Sequence, residues 1–174
     1  MNSPFRMFIV TLLFCITTVG FSQSNGCDAI VYWKYTQDIH IYDKPDARLL
    51  KTLRNDTLNE NFLSLTILDE QKNWFLVDIS LGMSDKSYHG WIEKNWYIGA
   101  FARHEKYPMK LTLYRNPVLN ELEKTELNDW QPGLITINRC LGKWVFVTVA
   151  YKGQEISGWI MSNELCANNY STCS

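Results

Sequence analysis

The feature that most constrains the fold is an internal repeat with a spacing of about 70 residues. The segment 73–79, Asn-Trp-Phe-Leu-Val-Asp-Ile, reappears 70 residues later at 143–149 as Lys-Trp-Val-Phe-Val-Thr-Val. Two shorter landmarks repeat in the same order: Gly-Trp-Ile at 90–92 and 158–160, and Tyr-x-x-Pro at 42–45 and 114–117. Because the spacing of these landmarks varies only between 68 and 72, the chain consists of two copies of one unit.

The pattern inside each copy predicts β-strands. Apolar residues alternate after Trp74 and after Trp144, and strict alternation places every second side chain on one face of a strand. The residues predicted to form the core are Phe75, Val77 and Ile79 in the first copy and Val145, Val147 and Val149 in the second. Glycine-containing turns follow both segments, which is typical of hairpins. No segment shows the spacing of an amphipathic helix, so the sequence predicts an all-β chain.

These residues resemble the bacterial SH3-like (SH3b) family. The resemblance depends on the Tyr-x-x-Pro strand endings, on the hairpin strands that open with Trp74 or Trp144, and on the two Gly-Trp-Ile strands. It covers nearly the whole chain after the N-terminal segment. It implies two small SH3-like β-barrels in tandem, and it implies a binding role without specifying the ligand.

The N-terminal segment predicts a secretory signal peptide, residues 1–22. Arg6 precedes an apolar run, and the small residues Gly20 and Ser22 precede the predicted cleavage before Gln23. An uncleaved membrane anchor is disfavoured because the run is shorter than the roughly 20 residues that span a bilayer. Lipidation of Cys27, which follows Gly26, is left open.

The repeat spacing also predicts the domain boundaries. Residues 23–100 form the first barrel, 101–108 form a linker and 109–174 form the second barrel. Export places the mature chain in the periplasm, outside the cell or at the cell surface, with no membrane span after signal cleavage.

Four cysteines remain after cleavage, and an even number in an exported chain favours disulfides. They are Cys27, Cys140, Cys166 and Cys173. The sequence does not choose among the three possible pairings, although at least one bridge is expected to fix the tail that carries Cys166 and Cys173. Cys166 and Cys173 have no close Cys-x-x-Cys or histidine partner, so the sequence does not indicate a zinc site.

Catalysis is not predicted. The three histidines are scattered, and no nucleophile or metalloprotease motif occurs. We therefore expect no catalytic residue, no metal and no cofactor. A formal net charge of −1, with a pI near 6.3 and no basic run, argues against nucleic acid as a partner.

Aromatic residues are in excess, with seven tryptophans and nine tyrosines. Trp74 and Trp144 lie opposite the core-facing residues of their strands, where a flat ring could stack on a ligand. The predicted ligand-binding residues are Trp74, Trp144, Tyr42, Tyr114 and Tyr88. A further aromatic group is expected to seal the ends of the first repeat: Trp33, Tyr35, Trp96 and Tyr97.

These observations predict an exported, non-catalytic binding protein whose partner is a peptide, a protein segment or a cell-envelope component such as cell-wall glycan. One alternative is an inhibitor or immunity protein that blocks a lytic or toxic enzyme, because an acidic surface would attract a basic enzyme. The other alternative is a structural component of the envelope.

Overall fold

The computed structural model describes residues 26–82, 84–103 and 110–170. Within them the chain is all-β, as predicted, and the only helical element is a single 3-10 turn at Ser162–Glu164. The strands are β1 (Cys27–Val31), β2 (Ile39–Tyr42), β3 (Leu49–Leu53), β4 (Leu63–Gln71), β5 (Trp74–Leu81), β6 (Ser87–Glu93), β7 (Ile98–Ala102), β8 (Lys110–Tyr114), β9 (Lys124–Asn128), β10 (Ile135–Leu141), β11 (Trp144–Tyr151), β12 (Gln154–Met161) and β13 (Leu165–Cys166).

All thirteen strands belong to one antiparallel sheet, which is not closed. Twelve of them follow the order β3-β2-β6-β5-β4-β1-β7-β10-β11-β12-β8-β9, and β13 pairs with β7. The order is symmetric about its centre, because each strand from β1 to β6 has its counterpart six strands later in the chain. The internal repeat of the sequence is therefore also a repeat of strand pairing.

The pairing register is repeated as well. Ala29 of β1 pairs with Leu65 of β4, and Ala100 of β7 pairs with Ile135 of β10. The hairpins β4–β5 and β10–β11 each contain one bulge at the corresponding place, after Ile67 and after Ile137. A bulge bends the strand that carries it, so both copies bend at the same point.

Strand β7 belongs to both copies. It pairs with β1 through its first residues, Ile98 and Gly99, and it pairs with β10 as β1 pairs with β4. Its last residues, Phe101 and Ala102, pair with β13. The predicted linker, 101–108, thus begins inside a strand, because its first two residues are part of the sheet. Residues 104–109 lie outside the described residues.

The core lies where the alternation predicted it. Each of the six predicted core residues is at most 1% exposed: Phe75, Val77, Ile79, Val145, Val147 and Val149. One continuous cluster of buried residues contains both triplets. Burying such side chains is the main stabilising term of a fold of this kind.

The two copies are also connected by a disulfide and by the ion pair between Glu70 and Arg139. A disulfide links Cys27 of β1 to Cys140 of β10, which indicates a non-reducing environment. Glu70 accepts from both Lys94 and Arg139, at 2.7 and 2.6 Å. Cys166 is also disulfide-bonded. The prediction that disulfides form is therefore confirmed for these three cysteines.

The predicted signal peptide and Cys173 lie outside the described residues. In the part of the chain that is described, no helix has the length and apolar character needed to cross a membrane.

Candidate functional site

The predicted aromatic residues form the same pair in each copy. The ring centroids of Tyr42 and Trp74 lie 5.3 Å apart with the rings nearly perpendicular. Tyr114 and Trp144 repeat this arrangement at 5.5 Å. Such edge-to-face contacts are favourable because the positive ring edge meets the negative ring face. The tyrosine of each pair also lies opposite the tryptophan of the Gly-Trp-Ile strand, since Tyr42 pairs with Trp91 and Tyr114 with Trp159.

Both pairs are packed closely against the sheet. Trp74 is 7% exposed and Trp144 is 5% exposed, so a ligand would reach little more than a ring edge. A Cβ at Gly90 would lie 2.7 Å from the carbonyl oxygen of Tyr42, so glycine is what allows these strands to cross. A Cβ at Gly158 would lie 2.8 Å from the Leu113 Cβ and 3.2 Å from the Tyr114 carbonyl oxygen, so glycine relieves similar crowding in the second copy.

The fifth predicted residue, Tyr88, stands apart from these pairs. It is half-buried on β6, and the Lys51 ammonium lies 5.7 Å from its ring centre. The structure thus brings together four of the five predicted residues as two separate pairs, and their role in ligand binding stays a prediction.

A depression of about 820 Å³ among the described residues has aspartate, hydroxyl and amide side chains in its lining. Residues of β1, β4 and β5 form one wall, and residues of the segment 162–168 together with Arg103 contribute to the other. Side chains of the sheet wall include Asp28, Thr66 and Asp78. We call this depression the polar cleft.

Contacts of the C-terminal segment hold the second wall in place. The Tyr170 hydroxyl accepts a hydrogen bond from the Phe62 backbone at 3.0 Å, and the Asn169 amide donates to the Val31 carbonyl at 3.1 Å. Arg103 donates through Nε to the Leu165 carbonyl at 3.1 Å. The end of the second copy therefore lies across the first copy, and the polar cleft needs both.

Beside the cleft, a polar row crosses four strands of the first copy. Strand register aligns Asp28, Thr66, Asp78 and His89 side by side. Thr66 donates to Asp28 at 3.2 Å, and His89 Nδ1 lies 2.8 Å from an Asp78 carboxylate oxygen. Neighbouring strands are about 4.8 Å apart, so the two carboxylates are separated by roughly 10 Å.

The corresponding row of the second copy carries no charge. Its members are Gly99, Thr136, Thr148 and Ser157. Thr148 is hydrogen-bonded to Ser157 at 2.8 Å and accepts from Asn138 at 2.8 Å. The charged row is therefore a property of the first copy alone.

Close to the cleft, Glu164 has a carboxyl group whose pKa burial raises above its ordinary value. Its backbone carbonyl accepts a hydrogen bond from the Arg103 amide at 2.8 Å. The local environment thus favours the neutral form of this side chain more than water does.

The cleft has the chemistry of a recognition site. It offers carboxylates, hydroxyls, amides and one guanidinium, and its volume falls within the roughly 300–1,000 Å³ of ordinary ligand sites. No group of three or more histidine, cysteine, aspartate or glutamate side chains in the described residues is arranged to hold a metal ion.

Sequence reasoning missed this cleft. The alternation in β5 indicated that Asp78 faces away from the core, but no sequence signal indicates that Asp28 lies in the same polar row as Asp78. Placing them together requires the strand register, and the second wall requires the path of the C-terminal segment.

No protein-family model, no curated protein and no solved structure matches this chain. The functional argument therefore depends on the geometry of the cleft and on the sequence.

Proposed function

We propose that this is an exported, non-catalytic binding protein whose polar cleft takes an extended peptide or a segment of another protein. The observation that carries the proposal is the cleft of about 820 Å³, formed jointly by the two copies and lined by charged and hydrogen-bonding groups.

Two observations support export. The Cys27–Cys140 disulfide requires surroundings that do not reduce it. The sequence of residues 1–22 has the charged start, apolar run and small residues of a signal peptide.

The repeated strand order supports two SH3-like units in tandem. Each unit contains the Tyr–Trp pair, the glycine that allows the crossing and the same bulged hairpin. In this proposal the two units share β7 and need not be joined by a free linker.

The charges of the cleft support a peptide ligand. Asp28 and Asp78 form an acidic wall, and Arg103 supplies a cation on the opposite side. A peptide with a basic side chain toward the sheet and a carboxylate toward Arg103 would match both walls. Short hydroxyl and amide side chains between them can exchange hydrogen bonds with an extended peptide backbone.

The test is a selection of phage-displayed heptapeptides on the disulfide-bonded protein. Selected peptides are then titrated against the double variant Asp28→Asn/Asp78→Asn, which keeps an acceptor oxygen for Thr66 and removes both charges. We expect selected peptides to be basic and to lose at least about tenfold in affinity, the equivalent of 1.4 kcal/mol.

The matched control is Thr148→Val, the change at the position of the second copy that corresponds to Asp78. It should leave peptide affinity unchanged, and thermal unfolding should show that all variants are folded. Failure to select any peptide, or equal affinity for the wild type and the double variant, would disprove the proposed site.

A further inference from the structure

A second surface of the first copy carries exposed aromatic rings. Trp96 is 58% exposed and Trp33 is 40% exposed, whereas Tyr97 below them is buried. The sequence predicted that this group seals the end of the repeat. Tyr97 is buried as that role requires, whereas the two tryptophans keep exposed ring surface, although Tyr32 contacts both and the Lys34 ammonium lies over the Trp33 ring. We call Trp33, Trp96 and the tyrosines under them the aromatic platform.

The tyrosine rings of the platform contact Trp96 in edge-to-face arrangements. The centroid of Trp96 lies 5.8 Å from that of Tyr35 and 5.9 Å from that of Tyr97, with both pairs nearly perpendicular. Tyr35 and Tyr97 are themselves stacked at 3.7 Å. Tyr32 contacts both tryptophans, at 6.0 and 6.5 Å.

The backbone that carries the platform is also fixed. The buried Asn55 side chain donates to the carbonyls of Tyr32 and Tyr35, at 2.9 and 3.0 Å. The carbonyl of Trp96 accepts a hydrogen bond from the Thr136 hydroxyl at 3.0 Å, and its amide donates to Asn95. A large exposed ring held in one position loses little further entropy when it binds a ligand.

Among the described residues of the second copy, the position that corresponds to the Tyr32–Tyr97 link is not aromatic. The backbone hydrogen bond from Tyr32 to Tyr97 is repeated from Arg103 to Glu164, both at 2.8 Å. Charged residues therefore replace the aromatic pair at that position. The fold does not require aromatic side chains there, so core packing does not explain the exposed rings.

The size and rim of the platform indicate its ligand. Exposed polar residues lie next to both tryptophans, because the Lys34 ammonium is over the Trp33 ring and the Asn95 side chain accepts a hydrogen bond from the Trp96 amide. A protein partner needs roughly 800 Å² of its own surface, with a water-excluding centre larger than two rings. Nucleic acid needs several cations along its path, and Lys34, 4.9 Å from the Trp33 ring centre, is the one described at a platform ring.

We propose that the aromatic platform binds a saccharide. A pyranose ring has an apolar C–H face that packs on an indole and a rim of hydroxyls that hydrogen-bond to side chains such as Lys34 and Asn95. The platform is separate from the polar cleft, so this inference adds a second ligand class to the proposed function.

The test is an NMR titration of the disulfide-bonded, isotope-labelled protein with three neutral probes: triacetylchitotriose, cellotriose and maltotriose. The chain has seven indole N–H groups, and each gives its own signal. We expect at least one probe to shift the Trp33 and Trp96 signals and to leave those of the buried Trp74 and Trp144 in place.

Variants identify the surface. Trp96→Ala should weaken saccharide binding at least about tenfold, and Trp96→Phe should restore part of it because a flat ring remains. Leu122→Ala removes an apolar side chain of the second copy that is even more exposed, at 94%, and should change nothing.

The outcomes separate the two proposals. Saccharide binding that survives Asp28→Asn/Asp78→Asn supports the platform whether or not the cleft takes peptides. The inference is overturned if no probe shifts the Trp33 and Trp96 signals, or if Trp96→Ala binds as the wild type does. It is also overturned if peptides selected on the cleft shift those two signals and saccharides do not.

Discussion

The first and second copies share a backbone plan and differ on their surfaces. Both have the bulged hairpin, the Tyr–Trp pair and the buried triplet of the long strand. The first copy adds the charged row with Asp28 and Asp78 and the aromatic platform. At the same positions the second copy has Gly99 and Thr148, and it has an Arg103–Glu164 backbone link in place of the Tyr32–Tyr97 link. The repeated features are those that packing requires, and the unrepeated ones are those that a ligand could use.

This difference assigns different tasks to the two copies. In the proposal, the first supplies Asp28 and Asp78 as recognition groups, whereas the second supplies Arg103 and the segment that closes the polar cleft. If that division is correct, substitutions at repeated positions should have equal effects in both copies, and substitutions at unrepeated positions should not.

The largest expected effect comes from a charge in the core. Val147→Asp and Val77→Asp each bury an unpaired carboxylate at a fully buried position. Each should lower the free energy of unfolding by roughly 4 kcal/mol or more. Because one continuous core and β7 join the copies, either change should unfold both copies in a single transition.

Thermal unfolding followed by circular dichroism measures this effect. Val77→Ala and Val147→Ala, which create small cavities and bury no charge, are the matched controls. Two separate transitions in either aspartate variant would show that the copies are independent in stability.

The next effect tests the Tyr–Trp pairs. Trp74→Ala and Trp144→Ala should each cost roughly 3 kcal/mol, because each removes a large buried ring. Equal losses in the two copies, measured by urea unfolding, would mark the pairs as packing features.

The same variants test the sequence-based prediction that these tryptophans bind ligand. Peptide affinity is measured at a temperature where each variant is fully folded. Lower affinity with unchanged stability would make Trp74 or Trp144 a binding residue, and a difference between the copies would identify which one binds.

The smallest effect concerns Glu164, whose counterpart in the first copy is uncharged. Because the pKa of its carboxyl is raised in the folded state, the folded chain holds this proton more tightly than the unfolded chain. The wild type should therefore lose stability as pH rises from 4.5 through the raised pKa. Glu164→Gln lacks this loss and should have the higher Tm at pH 7, by at most about 2 °C.

Melting curves at pH 4 and pH 7 measure it, with Glu155→Gln as an exposed control on β12. The advantage of Glu164→Gln should disappear at pH 4, where both side chains are uncharged. An equal advantage at both values of pH would show that the cause is not the ionisation of Glu164.

The sequence predicted much of the fold because short-range periodicity carries the information. Alternation located Phe75, Val77 and Ile79 in the core, and the spacing of 70 residues revealed the second copy. It could not show that Trp74 is covered, since the ring that covers it belongs to Tyr42, 32 residues earlier in the chain. Alternation reports which face a side chain occupies, and the path of other strands decides whether that face is open.

The candidate sites were less predictable for the same reason. Asp28 and Asp78 become neighbours only through the pairing of β1 with β4 and of β4 with β5. The platform was visible as a group of aromatic residues, but its exposure depends on the turn before β7. In the second copy the corresponding turn carries other residues, and no sequence rule predicts which of the two turns exposes aromatic rings.

The shared strand β7 has a consequence for how such a chain can grow or be divided. Each unit has seven strands, β1–β7 and β7–β13, and sharing β7 gives 13 strands instead of 14, so neither half can be removed whole. A fragment ending before residue 98 leaves β1 with only β4 as a neighbour, and one starting after residue 102 leaves β10 with only β11. A third unit would have to begin at β13, because β13 pairs with β7 in the way that β7 pairs with β1. β13 has only two residues where β7 has five, so it offers a shorter edge for such a unit.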